Sequence, residues 1–305
     1  MEKVIVVIGP TSVGKTKMGV ALAKKFNGEV ISGDSMQIYK QMDIGTAKVT
    51  EEEKEGIIHH CVDILNSDET YSVHDFQQTV RKKITEITQR GHVPIIVGGT
   101  GLYIKAALYD YQFDEMENDH HAINEKYKDY TNEQLHDHLK SIDEESAKTL
   151  HFNNRRRVLR AIEIYETTGK RKSEMLEEQE HICLYDAYFV GLTLPRDVLY
   201  ERINKRVDVM MENGLKEEME RLYSQGLTRN HQSMKAIGYK EWFDYYDHQI
   251  DLNDVLELIK KHSRQYAKRQ YTWFKNQFDV HWYDVNLENF EQTIEQVTDD
   301  IEKIL

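Results

Sequence analysis

The sequence predicts an α/β protein, with a parallel sheet of the P-loop NTPase type flanked by helices and a small all-helical insertion. Three observations predict this class. An apolar run at residues 4–8 leads into Gly-x-x-x-x-Gly-Lys-Thr at residues 9–16, and apolar residues follow at helical spacing. Residues 93–97 form another continuous apolar run, as buried parallel strands do. Residues 115–185 are polar and rich in helix patterns, without strand patterns.

The glycine-rich stretch has the residue types that a phosphate site requires. Gly9 and Gly14 let the backbone turn so that successive N–H groups point inward, and the following helix adds the positive end of its dipole. Lys15 adds a mobile charge, and the Thr16 hydroxyl is placed to ligate a Mg²⁺ that bridges phosphate oxygens. A chance match has odds of about one in a hundred. We therefore predict a phosphate-binding loop of Gly9, Pro10, Thr11, Ser12, Val13, Gly14, Lys15 and Thr16.

The composition is that of a globular protein with room for a large core. The chain has 305 residues, of which 39% are hydrophobic and 30% charged. Its formal net charge of -13 argues against a nucleic-acid partner unless basic residues are concentrated locally. Cys61 and Cys183 provide neither a disulfide framework nor a zinc-site spacing. Because no signal peptide and no apolar run of about 18 residues is found, we expect a cytoplasmic protein without a membrane partner.

Two segments are expected at the carboxyl edge of the sheet, beside the phosphate-binding loop. Asp34 follows a short strand at residues 29–32, and a carboxylate there lies in the crevice where open α/β sheets bind ligands. The alternative is that Asp34 caps a helix N-terminus. The strand at residues 93–97 ends in glycines and Thr100, not in the Mg²⁺-binding acid of motor ATPases and GTPases. Thr100 and its exposed backbone suit the close approach of a substrate.

Residues 59–61 form a His-His-Cys cluster that resembles a metal site. Adjacent side chains of an extended segment point to opposite faces, so His59 and His60 do not readily share one ion. We therefore expect no metal at this cluster.

The insertion contains a concentration of arginines. Four arginines lie within residues 155–160, beside an apolar stripe that includes Val158, and Gly169 is placed to end the helix. A charge run is usually a solvated helix face, but in an acidic chain it is also a candidate contact for an anionic partner. The predicted domains are residues 1–114 and 186–305 for the core and residues 115–185 for the insertion.

A second basic concentration lies near the C-terminus. No acidic residue occurs between Leu258 and Lys275. On a helix Arg264, Lys268 and Lys275 share a face with an aromatic residue, which suits phosphate contacts and base stacking. Together with the phosphate-binding loop, the two basic segments indicate an enzyme that acts on a nucleic acid with a small phosphorylated donor.

Another pair of arginines lies one turn apart on a predicted helix that begins near Pro195. Arg202 and Arg206 can both extend toward the phosphate-binding loop. They can equally pair with Glu201 or Asp208, and the sequence leaves both arrangements open.

Eight stretches of the sequence form an ordered set of motifs, at residues 9–16, 31–39, 42–48, 59–60 with Asp63, 98–103, 155–163, 235–240 and 264–274. With these motifs in this order, the chain closely resembles bacterial tRNA dimethylallyltransferases over nearly its whole length. One departure is Gly33, where the family usually has an alanine-like residue.

The resemblance implies transfer of a dimethylallyl group from dimethylallyl diphosphate to N6 of adenine 37, in the anticodon stem-loop of tRNA. In this family the phosphate-binding loop holds the diphosphate of the donor, and Mg²⁺ is required. Asp34 is then the base for the adenine amine. Lys15, Thr16 with Mg²⁺, and Arg206 stabilise the leaving diphosphate. The residues implied to contact tRNA are Asp34, Ser35, Met36, Gln37, Thr100, Arg155, Arg156, Arg157, Val158, Lys235, Gly238, Tyr239, Lys240, Arg264, Lys268, Arg269 and Trp273.

Other functions are compatible with parts of the pattern. A small-molecule kinase also has a phosphate-binding loop and an aspartate after the second strand, but it leaves the basic segments without a role. A nucleotide-gated RNA-binding protein leaves Asp34 unexplained, and prenylation of free adenine nucleotides does not need the basic insertion. No stretch demands a second subunit, so we expect a monomer.

Overall fold

The computed structural model describes residues 1–111, 120–177 and 181–304. The chain forms two compact units. One, the core unit, consists of Met1–Tyr109 and Cys183–Leu305, and the other, the helical unit, of Asp110–Ile182. The predicted start of the insertion, residue 115, lies outside the described residues.

The core unit is built on a parallel sheet. Its strands are β1 (Lys3–Ile8), β2 (Gly28–Ser32), β3 (His59–His60), β4 (Val93–Val97), β5 (Asp186–Thr193) and β6 (His281–Asp284). In the described part of the chain they are ordered β3-β2-β4-β1-β5-β6, and every neighbouring pair is parallel. Because parallel strands end at the same edge, the loops that follow β1, β2 and β4 converge.

Helices connect these strands and make up the helical unit. In chain order they are α1 (Lys15–Lys25), α2 (Glu51–Lys54), α3 (Val73–Gln89), α4 (Gly101–Leu108), α5 (His120–Lys126), α6 (Asn132–Ile142), α7 (Glu144–Thr149), α8 (Arg155–Thr168), α9 (Lys172–Glu177), α10 (Arg196–Glu212), α11 (Leu215–Ser224), α12 (Trp242–Tyr246), α13 (Leu252–Gln277) and α14 (Phe290–Glu302). The helices α5 to α9 belong to the helical unit. Among the helices described, none combines the length and the hydropathy needed to cross a bilayer.

Strand β1 separates two apolar cores, one on each face of the sheet. Val4, Val6 and Ile8 pack into one core, whereas Ile5 and Val7 pack into the other. Successive side chains of a strand point to opposite faces, so a strand covered on both faces has a continuous apolar sequence. The predicted fold class is confirmed.

Local patterns account for some element ends better than others. Gly169 ends α8 as predicted, in the left-handed conformation with φ of 72° that glycine adopts readily. Strand β6 has only four residues at the edge of the sheet, and no pattern in the sequence predicts it.

Candidate active site

The phosphate-binding loop runs from the end of β1 to the start of α1. Gly9 has φ of +145° and Gly14 of +107°, conformations that other residues rarely adopt. A Cβ atom on Gly9 would lie 2.5 Å from the carbonyl oxygen of Leu192 on β5. One on Gly14 would lie 2.7 Å from the ring of Phe290. Backbone conformation and close packing therefore both require glycine at these positions.

Five of the eight predicted loop residues line a cavity. These are Thr11, Ser12, Gly14, Lys15 and Thr16. Of the others, Val13 is buried in the core, so its side chain cannot contact a ligand. Pro10 has no N–H group to offer an anion.

Lys15 folds back over the loop from the first turn of α1. Its Nζ donates to the carbonyl oxygens of Gly9 at 3.0 Å and Pro10 at 2.8 Å. Burial, reinforced by the charge of Arg206, lowers the pKa of Lys15 to about 7, and Asp34 opposes the shift. An anion beside this amine would raise its pKa, so Lys15 suits a phosphate group.

Two arginines of α10 reach the loop. Arg206 donates to Thr11 Oγ1 at 3.2 Å and to Ser12 Oγ at 3.5 Å. Arg202 donates through Nε to the carbonyl oxygen of Ser12 at 3.0 Å. Asp208, an alternative partner, instead pairs with a lysine of α13 at 2.8 Å. Of the two arrangements left open by the sequence, the one directed toward the loop is found.

Asp34 lies just beyond β2. The residues after Asp34 form bends and a turn at 35–38 instead of a helix, so the helix-cap alternative does not apply. Asp34 Oδ1 accepts the N–H of Met36 at 2.8 Å, which fixes the orientation of the carboxylate. The N–H of Ser35 donates to Thr100 Oγ1 at 3.1 Å. The loops after β2 and β4 are thereby joined beside the carboxylate.

Two adjoining cavities lie at this edge of the sheet. The first cavity has a volume of about 540 Å³ and is lined by the phosphate-binding loop. The second cavity, of about 330 Å³, lies between the Asp34 loop, α10 and α13. Their linings share Thr11, Ser12, Asp34, Thr46, Ala47 and Arg206. Asp34 and Arg206 therefore border both cavities.

Each cavity has exposed cations among its lining residues. In the first they are Lys17, Arg202 and Lys205, and in the second Lys235, Lys240 and Arg269. Although Asp34 borders both cavities and Glu53 lines the first, cations outnumber carboxylates in each lining, and an excess of one sign attracts ligands of the opposite sign. Despite the acidic total, each cavity is thus suited to an anionic ligand of its own.

The two histidines of β3 take part in separate contacts. His60 Nε2 and a carboxylate oxygen of Glu29 are 2.5 Å apart. Burial alone would raise the pKa of Glu29, but Arg90 and the neighbouring histidines lower it to about 2. His59 Nδ1 bonds the carbonyl oxygen of Ile57 at 2.9 Å. The side chains diverge, as expected for adjacent positions of an extended segment.

Glu218 of α11, which no motif marks, holds a loop that lines both cavities. Its buried carboxylate accepts the backbone N–H groups of residues 43–45 at 2.9–3.1 Å. The Tyr239 hydroxyl donates to the same carboxylate at 2.6 Å. The next two residues of the loop, Thr46 and Ala47, line both cavities. In the sequence Glu218 is one of several glutamates on an acidic helix, so nothing singles it out.

Comparisons with known proteins identify the relatives of the chain. The family model described as IPP transferase matches residues 37–277. A tRNA dimethylallyltransferase of Bacillus cereus (strain AH187) is 54% identical over 287 residues, which cover 93% of this chain and 90% of that one. The chain belongs to the IPP transferase family.

Solved structures of related enzymes resemble this chain along its length. A crystal structure of tRNA delta(2)-isopentenylpyrophosphate transferase from Staphylococcus epidermidis matches with a TM-score of 0.75 and 47% identity, covering 100% of both chains. A eukaryotic dimethylallyltransferase acting on tRNA matches with a TM-score of 0.85 and 33% identity, covering 98% of this chain and 78% of that one. The resemblance stated from the motifs is confirmed.

The residues implied to contact tRNA differ in their exposure to solvent. The exposed ones are Arg156, Arg157, Lys235, Lys240, Lys268 and Arg269. Arg264 is partly buried and donates to Asn204 Oδ1 at 2.5 Å. The Trp273 ring packs on Gly101, where a Cβ atom would lie 2.2 Å from it. Gln37 donates to the carbonyl oxygens of two loop residues at 3.3 Å.

Two residues of this set, Gly238 and Tyr239, are buried in the core unit. Tyr239 is fully buried and its hydroxyl is bound to Glu218. Gly238 is buried with φ of +98°, and its N–H donates to Glu241 at 2.9 Å. Both residues shape the segment, whereas its exposed ends are Lys235 and Lys240.

Two further residues of this set, Arg155 and Val158, have contacts within the helical unit. Val158 is 0% exposed in the apolar core of that unit, so its side chain has no surface for RNA. Arg155 donates to the carbonyl oxygens of Tyr127 at 2.6 Å and Tyr130 at 2.7 Å. Its guanidinium is therefore used to hold the chain before α6.

Proposed function

We propose that this chain transfers a dimethylallyl group from dimethylallyl diphosphate to N6 of adenine 37, next to the anticodon of tRNA. The products are N6-dimethylallyladenosine and diphosphate. The observation that carries the proposal is the border shared by the two cavities at Asp34 and Arg206. Two anionic substrates can meet there beside one carboxylate. The names of the relatives, tRNA dimethylallyltransferase and tRNA isopentenylpyrophosphate transferase, agree with this pairing.

The donor half of the proposal uses the phosphate-binding loop. The backbone N–H groups of the loop, Lys15 and Arg206 surround the diphosphate in the first cavity. Negative charge grows on the diphosphate as the allylic C–O bond breaks, and donors already in place stabilise that charge. Lys15 exchanges its two carbonyl partners for phosphate oxygens.

The acceptor half of the proposal uses Asp34. The adenine amine is a poor nucleophile because its lone pair is delocalised into the ring. The N6–C bond forms, the C–O bond breaks, and the N6 proton passes to the Asp34 carboxylate. The hydrogen bond from Met36 leaves the carboxylate fixed in one orientation. General-base help of this kind is worth about 10²–10⁴-fold in rate.

Mg²⁺ is part of the proposal. The Thr16 hydroxyl lines the first cavity beside Lys15, and Asp34 and Glu53 are the carboxylates of the same lining. Mg²⁺ usually takes few protein ligands and completes its shell with phosphate oxygens and water, so these residues fit it. Thr16 would hold the ion, which when bound neutralises charge on the diphosphate.

The RNA half of the proposal rests on the exposed cations. The base must leave the stacked anticodon loop to reach Asp34, and contacts to the RNA backbone offset the cost of unstacking. Lys235, Lys240 and Arg269 of the second cavity supply such contacts in the core unit, and Arg156 and Arg157 supply them in the helical unit. Asp34, Arg206 and the phosphate-binding loop all belong to one chain, which supports our proposal that the enzyme acts as a monomer.

The test is transfer of label from prenyl-labelled dimethylallyl diphosphate to unmodified tRNA with Mg²⁺. Label at adenine 37, and none in a matched tRNA with guanine at that position, is the expected result. Label in adenosine monophosphate alone would make the protein a small-molecule prenyltransferase. Consumption of ATP without any transfer would favour a kinase.

A further inference from the structure

Gln270 of α13 joins the phosphate-binding loop to the turn after β4. The side chain is buried, with 5% of its surface exposed. Its Oε1 accepts the N–H of Thr11 at 2.9 Å, and its Nε2 donates to the carbonyl oxygen of Gly99 at 3.0 Å. Both ends of the carboxamide are therefore bound to backbone groups of loops that surround the first cavity.

The turn after β4 is packed closely against this side chain. A Cβ atom on Gly99 would lie 2.2 Å from Gln270 Nε2 and 3.9 Å from Lys15 Nζ. Gln270 thus lies close to the amine that suits a phosphate group, without lining either cavity itself.

The same helix forms a wall of the second cavity. Tyr266 and Arg269 line that cavity, and the Arg269 guanidinium lies 5.8 Å from the centre of the Tyr266 ring. The Tyr266 hydroxyl donates to the carbonyl oxygen of Gly99 at 3.3 Å. The helix that faces the second cavity therefore also holds two backbone groups beside the first.

We infer that Gln270 is a positioning residue for the donor. From α13, the helix that faces the acceptor, its side chain fixes the position of the phosphate-binding loop. It acts through Thr11 and Gly99 and touches neither substrate. The identity of the two substrates rests on the proposed function, whereas the predicted effect of Gln270 on diphosphate binding does not. With the Thr11 amide committed to the helix, the other loop amides and Lys15 face the cavity in one arrangement. A displacement of about 1 Å in such a site costs on the order of a hundredfold in rate.

A carboxamide can do this because it accepts at one end and donates at the other. In Gln270→Glu, a neutral carboxyl group still accepts from Thr11 and donates to Gly99, whereas a carboxylate places an oxygen against the Gly99 carbonyl. Burial raises the pKa of a carboxyl group, so the neutral form of the introduced glutamate persists at low pH and is lost as the pH rises. The variant therefore converts the contact into one that depends on pH.

The experiment measures kcat/KM of Gln270→Glu, divided by that of the wild type, from about pH 5 to about pH 8. We expect this ratio to fall about tenfold as the pH rises, because the bond from position 270 to Gly99 is replaced by a contact between a carboxylate oxygen and the carbonyl oxygen, to which the Tyr266 hydroxyl still donates. Titration calorimetry with inorganic diphosphate should show the same relative loss. Titration of the donor cancels in the ratio, since both proteins share it. Lys15 lies close to position 270, so a carboxylate there would also raise the pKa of Lys15. The uncharged variant Gln270→Leu therefore provides the test that no new charge affects.

Gln265→Glu is the matched control, because Gln265 is an exposed glutamine of the same helix. The kcat/KM of Gln265→Glu, divided by that of the wild type, should not change with pH. Gln270→Leu, which loses both hydrogen bonds, should weaken diphosphate binding about tenfold at every pH with unchanged RNA affinity. A flat ratio for Gln270→Glu, with wild-type affinity for diphosphate, would overturn the inference. Absence of transfer by the wild type would refute the proposed function instead, and diphosphate binding would still decide the role of Gln270.

Discussion

Lys15 is a partly buried cation that suits an anionic ligand but lowers the stability of the fold when it is charged. Burial first, and then the charge of Arg206, lower its pKa to about 7 from an ordinary value of 10.5, while Asp34 acts in the opposite direction. The charged amine therefore destabilises the fold below pH 7. That cost is relieved as the pH rises through 7 toward 10.5, because the unfolded chain then binds the extra proton.

The affinity for inorganic diphosphate should fall above pH 7. Below that pH Lys15 is already charged, but above it binding must take up one proton, so affinity falls by about tenfold per pH unit. Titration calorimetry at pH 8 in two buffers of different protonation enthalpy measures the uptake. Lys15→Arg keeps its charge and is the control, which subtracts the protons taken up by diphosphate itself. Equal proton uptake by the two proteins would contradict the prediction.

Asp34→Asn should lower kcat by about 10²–10⁴-fold, since the amide cannot accept the amine proton. Affinity for tRNA, measured by filter binding, should stay at the wild-type value because the shape of the loop is kept. Asp299→Asn, at an exposed position of α14, is the control and should leave both quantities unchanged. Turnover of Asp34→Asn at the wild-type rate would rule out Asp34 as the base.

At the scale of elements, the sequence predicts local structure well and side-chain direction less well. The motif at residues 9–16 predicts a loop whose glycines have positive φ, and the structure has them. Val158 shows where two predictions disagree. The apolar stripe of α8 places it inside, whereas the family motif places it against RNA, and it is buried. A motif says which residues recur, but the helical period says which face they occupy.

Contacts between distant parts of the chain could not be predicted. Glu218 reaches a loop 175 residues away, and Gln270 reaches Thr11 across 259 residues. Neither partner is defined until the strands have been ordered and the helices packed. The family motifs include Gln270 but give no indication that its carboxamide joins two loops.

Glu218→Gln should lower the free energy of unfolding by about 3 kcal/mol, because an amide N–H would face the backbone N–H groups of residues 43–45. Urea denaturation measures the change. Glu220→Gln, at an exposed position of the same helix, is the control and should shift stability by less than about 0.5 kcal/mol. Identical denaturation midpoints for the two variants would show that the carboxylate is not needed.

At the scale of the whole molecule, the helical unit departs from and returns to neighbouring points of the core unit. Tyr109 and Cys183 form an antiparallel bridge, and the N–H of Leu184 donates to the carbonyl oxygen of Leu108 at 2.8 Å. Antiparallel segments can be joined by a turn of two residues. The core unit therefore does not need the helical unit to bring these ends together.

A chain in which a short glycine-containing turn replaces residues 111–181 should fold and bind inorganic diphosphate with unchanged affinity. It should bind tRNA more weakly, because Arg156 and Arg157 are removed. Circular dichroism measures folding, calorimetry measures diphosphate binding, and filter binding measures tRNA affinity. Lys15→Ala in the shortened chain is the control for specific diphosphate binding. A shortened chain that cannot bind diphosphate would show that the core unit depends on the helical unit.

The two cavities also bear on the kinetics of turnover. Each has exposed lining residues of its own, and they share a border at Asp34 and Arg206. If the donor occupies the first cavity and the RNA the second, as we propose, we expect diphosphate to leave while the modified RNA is still bound. The proposed function requires both substrates to be bound together when the dimethylallyl group is transferred. Double-reciprocal plots at several fixed concentrations of the second substrate should therefore intersect rather than run parallel.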